Sequence, residues 1–421
     1  MDDTVFALSS GAPPAAIGVI RISGPQAGDA LSKLVGGLPA ARTPSLRVLR
    51  GHDGVELDRA LVLWFAGPNT ATGEDLAELH CHGGRAVVAA ILAALGKMHG
   101  LREAEPGEFT RRAFSNGRID LAEAEGLADL LSAETELQRR GAMLAAGGEL
   151  SRRIEGWRER ILGLAASVEA VIDFADEDDV ELPPSFMREV RELASEIRVT
   201  ADQPAMERLR DGIRVVLAGP PNAGKSSLFN ALLADEAAIV TSEAGTTRDV
   251  LERPVAIGGV PFVLIDTAGM RDSGAGMIEE MGIERARREV ALGQIVLWLG
   301  AADDRPEGAV QVHSKSDVAS FDGPGVKVSA VTGVGLEELK ELLVEKGRAV
   351  LPPVDRLAFN RRQRDWALTA AGSLLQVDVS SDLLVAAENL RLARQSLDRL
   401  VGRDSTEEML DALFGRFCIG K

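Results

Sequence analysis

The stretch "IRVVLAGPPNAGKSSLFNALL" (213–233) constrains the fold of this 421-residue chain more than any other. A short apolar run of buried-strand character enters Gly-x-x-x-x-Gly-Lys-Ser, and a segment of helical periodicity leaves it. A glycine-rich turn between a strand and a helix N-terminus gathers backbone N–H groups at one point, where the helix dipole also favours negative charge. Phosphate groups are held in this way. The apolar runs "PFVLIDTAG" and "QIVLWLG" further along, alternating with helical segments, predict a doubly wound, mainly parallel sheet.

The loop offers Asn222, Ala223, Gly224, Lys225, Ser226 and Ser227 to a nucleotide. Lys225 would reach the β- and γ-phosphates, and Ser226 would ligate Mg²⁺. "DTAGMRD" adds Asp266, Thr267, Ala268 and Gly269 at the end of a strand. Asp266 can hold Mg²⁺ through water, and the Gly269 N–H can meet the γ-phosphate. Between them, "EAGTTRD" supplies Thr247 as the hydroxyl that completes the Mg²⁺ shell. Either segment alone is weak, because Thr and Asp commonly cap turns. Their order after the loop is what gives them weight.

The base is read further on. "HSKSD" contains Ser314, Lys315 and Asp317, and "VSAVTG" contains Ser329 and Ala330. Asp317 would accept from the N1–H and 2-amino group of guanine, a donor pair that adenine lacks. GTP is therefore the expected nucleotide. GTPases usually carry Asn at the position of Ser314, and losing its amide removes a brace worth about 1 kcal/mol. Weaker GTP binding is the expectation. No Gln follows the "DTAG" glycine to position water; Met270 stands there, so Glu279 or Glu280 in "MIEEMGIER", or charge from outside, must serve.

Length predicts two to four domains. Residues 1–117 read as α+β, with strands in "AIGVIRIS" and "RALVLWFA" and a helix in "GRAVVAAILAALGKM". Residues 118–210 are helical, dominated by an apolar-periodic run without proline from "LAEAEG" to "AVIDF". The α/β segment spans 211–350, and 351–421 is helical again, so the α/β domain is read as inserted into a helical one. A multidomain α+β and α/β chain is expected. The net charge of −17 argues against a protein that grips nucleic acid alone, despite "RRQR" at 361–364. Two cysteines, no apolar run of membrane-span length and no signal core predict a cytoplasmic protein without a membrane segment. His80 and His82 in "HCHGG" have the look of a metal pair but lack a ligand cluster.

Taken together, "GPPNAGKSSLFNALL", "AAIVTSEAGTTRDV", "DTAGMRD" with "GIERA", and the ending "RFCIGK" resemble the MnmE (TrmE) tRNA-modification GTPases, within the TrmE-Era-EngA-YihA-Septin-like GTPase family. "PPAAIGVIRISGP", "TGEDLAELHCHGG" and "GEFTRRAFSNGRIDLAEAEGLADLL" extend the resemblance over essentially the whole chain. It implies a dimerising, tetrahydrofolate-binding N-terminal domain, a helical domain and an inserted G domain. It implies a GTP hydrolase that acts with the FAD-dependent MnmG (GidA) flavoprotein. Together they would add an aminomethyl-type (carboxymethylaminomethyl) group to C5 of the wobble uridine, position 34, of certain tRNAs. The one-carbon donor would be 5-formyltetrahydrofolate or a related tetrahydrofolate.

Site roles are implied position by position. Asn222, Thr241, Glu243 and Thr246 correspond to the family's K⁺ loop, Glu279 to its water-orienting acid, and Cys418 to the thiol needed for modification. Arg21, Glu78 and Arg118 correspond to folate-binding positions, with Lys421 reaching in from the tail; Arg118 stands where lysine is common. An Arg suits the carboxylate-bearing end of a folate, and a carboxylate suits the donor edge of a pterin. One alternative is a GTP-driven ribosome-assembly or RNA-binding switch with no modification activity. It predicts an RNA-binding module after the G domain, where this chain has a helical segment ending in "FCIGK". A folate-binding dimer with a degenerate G domain is another.

Overall fold

The computed structural model describes residues 3–174, 181–234, 251–267, 289–321, 323–353, 357–380, 382–404 and 406–421. The chain divides into two units, 1–128 with 398–421, and 129–397. The fold is mixed α+β and α/β.

The first unit is built on β1 (Thr4–Leu8), β2 (Ile17–Ser23), β3 (Ser45–Arg50), β4 (Glu56–Phe65), β5 (Leu76–His82) and β6 (Leu101–Glu103). They form one sheet in the order β3-β4-β5-β2-β1-β6, antiparallel except for the β1–β6 pair. Alternation sends Phe6, Ile20, Ile22, Leu49, Val62, Leu79 and Cys81 to one face. Helices α1 (Ala27–Val35) and α2 (Arg85–Gly96) cover that face through Leu31, Leu34, Val88, Ile91 and Leu95. The other face begins with a smaller cluster, Val5, Ala7, Ala104 and Phe109, of which Phe109 lies on α3 (Glu108–Ser115).

The proline-free helical run does not form one helix. It divides into α4 (Leu121–Ser132), α5 (Glu136–Ala146) and α6 (Glu149–Asp173). The first break is a capping box, in which the Thr135 hydroxyl accepts from the Gln138 N–H and the Gln138 side chain accepts from the Thr135 N–H. The second is Gly147-Gly148, where Gly148 takes φ +73°, a left-handed conformation that ends one helix and starts the next. Helix α7 (Phe186–Ala201) follows, then the short α8 (Glu207–Arg210).

The second sheet has the order β12-β11-β10-β7-β9-β8. Its strands are β7 (Ile213–Ala218), β8 (Leu251–Ile257), β9 (Val260–Asp266), β10 (Ile295–Trp298), β11 (Val310–His313) and β12 (Val326–Lys327). All neighbours are parallel except β8 with β9. Strand β7 lies between β10 and β9, so the strand order reverses there and the crevice at its carboxyl end is the expected ligand site. Helices α9 (Lys225–Ala234) and α10 (Leu336–Val350) pack Leu228, Phe229, Leu232, Leu339 and Leu343 onto Val215, Leu217, Leu264 and Leu297. The connection from β10 to β11 holds only a 3₁₀ turn at Ala302–Asp304. Helices α11 (Arg361–Leu375) and α12 (Leu383–Leu400) follow, and α11 packs along α7, so segments before and after the sheet share one helical layer. Helix α13 (Glu407–Phe414) lies in the first unit, where Arg111 forms ion pairs with Glu407 and Asp411.

Candidate functional sites: a phosphate loop and a docked tail

The glycine-rich loop joins β7 to α9 as its pattern requires. Asn222 has φ +63° and Gly224 φ +89°, so the chain turns tightly before the first helical turn. The Lys225 ammonium is buried and donates to the carbonyls of Gly219 (3.1 Å) and Pro220 (2.9 Å). Ser226 Oγ donates to Asp266 Oδ2 at 2.6 Å. Asp266 is 1% exposed, and the two oxygens are hard donors of the kind Mg²⁺ takes. Thr267 is also buried, its hydroxyl donating to the Leu217 carbonyl at 2.8 Å, which ties the end of β9 to β7. Ser227 and Asn222 are exposed.

The base-side segments converge on this loop. Ser314 Oγ donates to the Ala223 carbonyl at 2.5 Å, and Lys315 Nζ donates to the Asn222 carbonyl at 2.9 Å. The expectation that Ser314 forfeits the brace is therefore corrected: its hydroxyl spans the gap, because the two loops lie close enough for the shorter side chain to reach. The Ser316 N–H donates to the Val328 carbonyl (3.1 Å), joining "HSKSD" to the Ser329–Ala330 segment. Ser329 is fully buried, and its Oγ accepts from the N–H groups of Val331 and Thr332. Asp317 is exposed, with its carboxylate in reach of a ligand. Thr241, Glu243, Thr246, Thr247, Ala268, Gly269, Met270, Glu279 and Glu280 lie outside the described residues.

The second site lies on the sheet of the first unit. Arg21 on β2 and Glu78 on β5 are cross-strand partners. Arg21 Nη2 and Nε donate to the same Glu78 oxygen, Oε1, at 2.8 and 3.2 Å. Glu78 Oε2 accepts from His80 Nε2 at 3.3 Å. Burial pushes the Glu78 carboxyl up, but the Arg21 hydrogen bond and charge, helped by His80, outweigh it and hold the group below its ordinary value. The Arg21 guanidinium lies over the Phe109 ring, 5.7 Å from its centroid. The Phe109 N–H in turn donates to the Lys421 carbonyl at 3.1 Å.

That last bond belongs to a docked tail. Ile419 bridges Pro106, and the Cys418 carbonyl accepts from the N–H groups of Gly107 (3.4 Å) and Lys421 (3.2 Å). Gly420, at φ +93°, passes so close to β1 that a Cβ there would collide with the Leu8 carbonyl oxygen. The Cys418 thiol is exposed, so it is not a core residue. Arg118 is exposed beside Gly73, and its N–H donates to the Ala113 carbonyl at 2.8 Å. Helix α3 is fixed by Arg112, which is fully buried and paired with Asp3 (2.7 Å), Glu74 (3.2 Å) and Glu108 (2.9 Å). Sequence reasoning missed Phe109, Arg112 and the contact of His80. The i, i+2 spacing of Glu78 and His80 on one strand was the available signal for the last. His82 instead meets Asp58 at 2.8 Å, and no group of three metal-ligating residues exists among the described residues.

A mainly parallel sheet with a phosphate loop at its switch point, a Ser–Asp pair beneath it and two base-side loops beside it defines a protein of the P-loop GTPase fold. Residues 121–418 match the family described as the MnmE helical domain, and residues 4–118 the GTP-binding protein TrmE N-terminus. The chain is 59% identical over 423 residues to the tRNA modification GTPase MnmE of Erythrobacter litoralis, covering 100% of both chains. It is 54% identical over 440 residues to that of Novosphingobium aromaticivorans, again covering 100% of both. It is 55% identical over 425 residues to that of Rhizorhabdus wittichii, covering 100% of this chain and 97% of the relative. The chain belongs to the MnmE family.

Proposed function

We propose that this chain is a GTP hydrolase acting in tRNA modification. With the flavoprotein MnmG (GidA), it would add the aminomethyl-type group to C5 of the wobble uridine. The observation that carries this reading is the docked tail. It sets the exposed Cys418 in the same unit as the Arg21–Glu78 pair, within a chain that also holds a phosphate loop. A GTP-driven switch alone has no need of such a site. The reading divides the chain into an N-terminal folate-binding and dimerisation domain (1–117), a helical domain (118–210 and 351–421) and an inserted G domain (211–350).

In the G domain, the loop N–H groups bind the phosphates and Lys225 turns from its carbonyl partners toward them. Ser226 and Asp266 would hold Mg²⁺, which supplies charge neutralisation to the β- and γ-phosphates. Asp317 selects guanine, while Ser314 and Lys315 fix the base loop to the phosphate loop. Asn222, with Thr241, Glu243 and Thr246, would hold K⁺, Thr247 would complete the Mg²⁺ shell, and Glu279 would orient water. In the N-terminal domain, Arg21 and Glu78 are partners of one another and so act at one point of a ligand. Glu78 suits the donor edge of a pterin, Arg118 is exposed to meet an anionic end, and Lys421 closes the site from the tail.

The second face of the first sheet supports a homodimer. Leu46, Leu61 and Ile17 lie on it by cross-strand register and are 73%, 39% and 58% exposed. No helix among the described residues is long and apolar enough to cross a membrane. Wobble-uridine analysis in a strain deleted for this chain tests the reading. Loss of the modified nucleoside is expected, and an unchanged nucleoside profile would overturn it. GTP turnover with K⁺ against Na⁺ tests the cation role, with faster turnover in K⁺ expected.

A further inference from the structure

We infer that His80 is a positioning residue for ligand recognition at Glu78. It sets the plane of the carboxylate and, with it, the direction of the acceptor site that Oε2 keeps for an N–H donor of the ligand. The inference rests on the folate reading above and gives His80 a role that neither motif nor resemblance supplied.

The two oxygens of Glu78 are held unequally. Oε1 takes both guanidinium bonds of Arg21, a charge-assisted fork that leaves it little freedom. Among the described residues, Oε2 is held by the His80 bond alone. Rotation of the carboxylate about its last bond is therefore restrained at one end by Arg21 and at the other by His80. Oε1 spends both of its acceptor sites on Arg21, so a ligand N–H must meet Oε2, and the restraint that fixes the direction of that oxygen matters to recognition more than to folding. The surroundings hold the imidazole in place. His80 lies between Val19 of β2 and Leu61 of β4 in cross-strand register, and its side chain is 30% exposed, against 18% for Glu78. The Nε2 atom faces Glu78, and the ring stands on the same sheet face as Arg21 by strand alternation. His82, two residues on, has its own carboxylate in Asp58 and does not compete for Glu78.

Isothermal titration of the full chain with 5-formyltetrahydrofolate tests the assignment, using wild type, His80→Ala, His80→Gln and Glu78→Gln. Gln is the informative replacement because its terminal amide can donate from about the position of Nε2. His80→Ala should weaken binding about five- to tenfold, the size of one lost hydrogen bond that orients a charged acceptor. His80→Gln should recover to within about threefold of wild type. A fragment without the pterin, p-aminobenzoylglutamate, should bind wild type and His80→Ala alike. Wild-type affinity in His80→Ala would overturn the assignment and leave the folate reading standing. So would a His80→Gln variant as weak as the Ala variant, because the ring would then serve packing. Failure of the wild-type chain to bind the folate would remove the folate reading and this assignment together.

Discussion

Ser314 shows how a residue type can mislead and a geometry correct it. Sequence comparison with the usual Asn predicts a missing brace, yet the hydroxyl reaches the Ala223 carbonyl. The expected outcome of substitution changes accordingly. Ser314→Ala should weaken guanine-nucleotide binding about fivefold, one net hydrogen bond of about 1 kcal/mol. Ser314→Asn should alter affinity by less than about threefold, since the bond it would restore is already made. Titration with a fluorescent GDP analogue measures both, and a large gain in the Asn variant would mean that the serine tie is weak in solution. The phosphate side of the site was legible because loop, strand and helix are contiguous in sequence. Phe109 over Arg21 and the Arg21–Glu78 contact were not. They follow from a helix returning over the sheet and from cross-strand register, neither of which local pattern encodes.

At the scale of elements, the broken helical run and the docked tail make the same point. The capping box at Thr135 and Gln138 was present in the sequence as Thr-x-x-Gln, but an apolar period running through it hid the break. Where the tail passes β1, its backbone admits only glycine. Gly420→Ala would place its Cβ against the Leu8 carbonyl oxygen, and φ +93° would be strained as well. The tail should then detach, with faster amide exchange at Gly107 and Phe109, whose N–H groups the tail accepts. GTP turnover should be unaffected. Unaltered exchange at those two amides would show that the tail seats by other contacts.

Helix α3 gives this unit an acid limit. Glu108 is buried, which alone would raise its carboxyl. Its bonds to Arg102, the Glu105 N–H and Arg112 outweigh that and hold it below the ordinary value of 4.5. Asp3 is likewise lowered, its burial outweighed by Arg112 and Arg102. A carboxyl with a depressed folded value contributes stability above its unfolded value and loses it as pH falls through the folded one. The melting temperature should therefore decline as pH falls below about 4.5. Glu108→Gln should begin about 2 kcal/mol less stable at pH 7 and decline less steeply, because one linked proton is gone. Parallel pH curves for the two proteins would exclude Glu108 from the linkage.

Among the described residues, one large core lies under the antiparallel sheet and another around the mainly parallel sheet, and each positions a separate site. Composition and spacing revealed both classes of fold. They did not place residues 398–421 with the first unit, because that grouping depends on a tail returning to strands laid down at the start of the chain. Two cores with two sites predict binding functions that can be separated. Lys225→Ala removes the buried ammonium from the phosphate loop and should abolish GTP turnover, while 5-formyltetrahydrofolate binding stays within about twofold of wild type. Gly420→Ala should do the reverse, keeping turnover and weakening folate binding. Wobble-uridine modification should fail in strains carrying either variant, since the proposed reaction needs both sites. A Lys225→Ala protein that folds by circular dichroism yet no longer binds the folate would show instead that the sites are coupled in the resting chain. A strain carrying that variant with normal modified uridine would show that hydrolysis is dispensable to the chemistry.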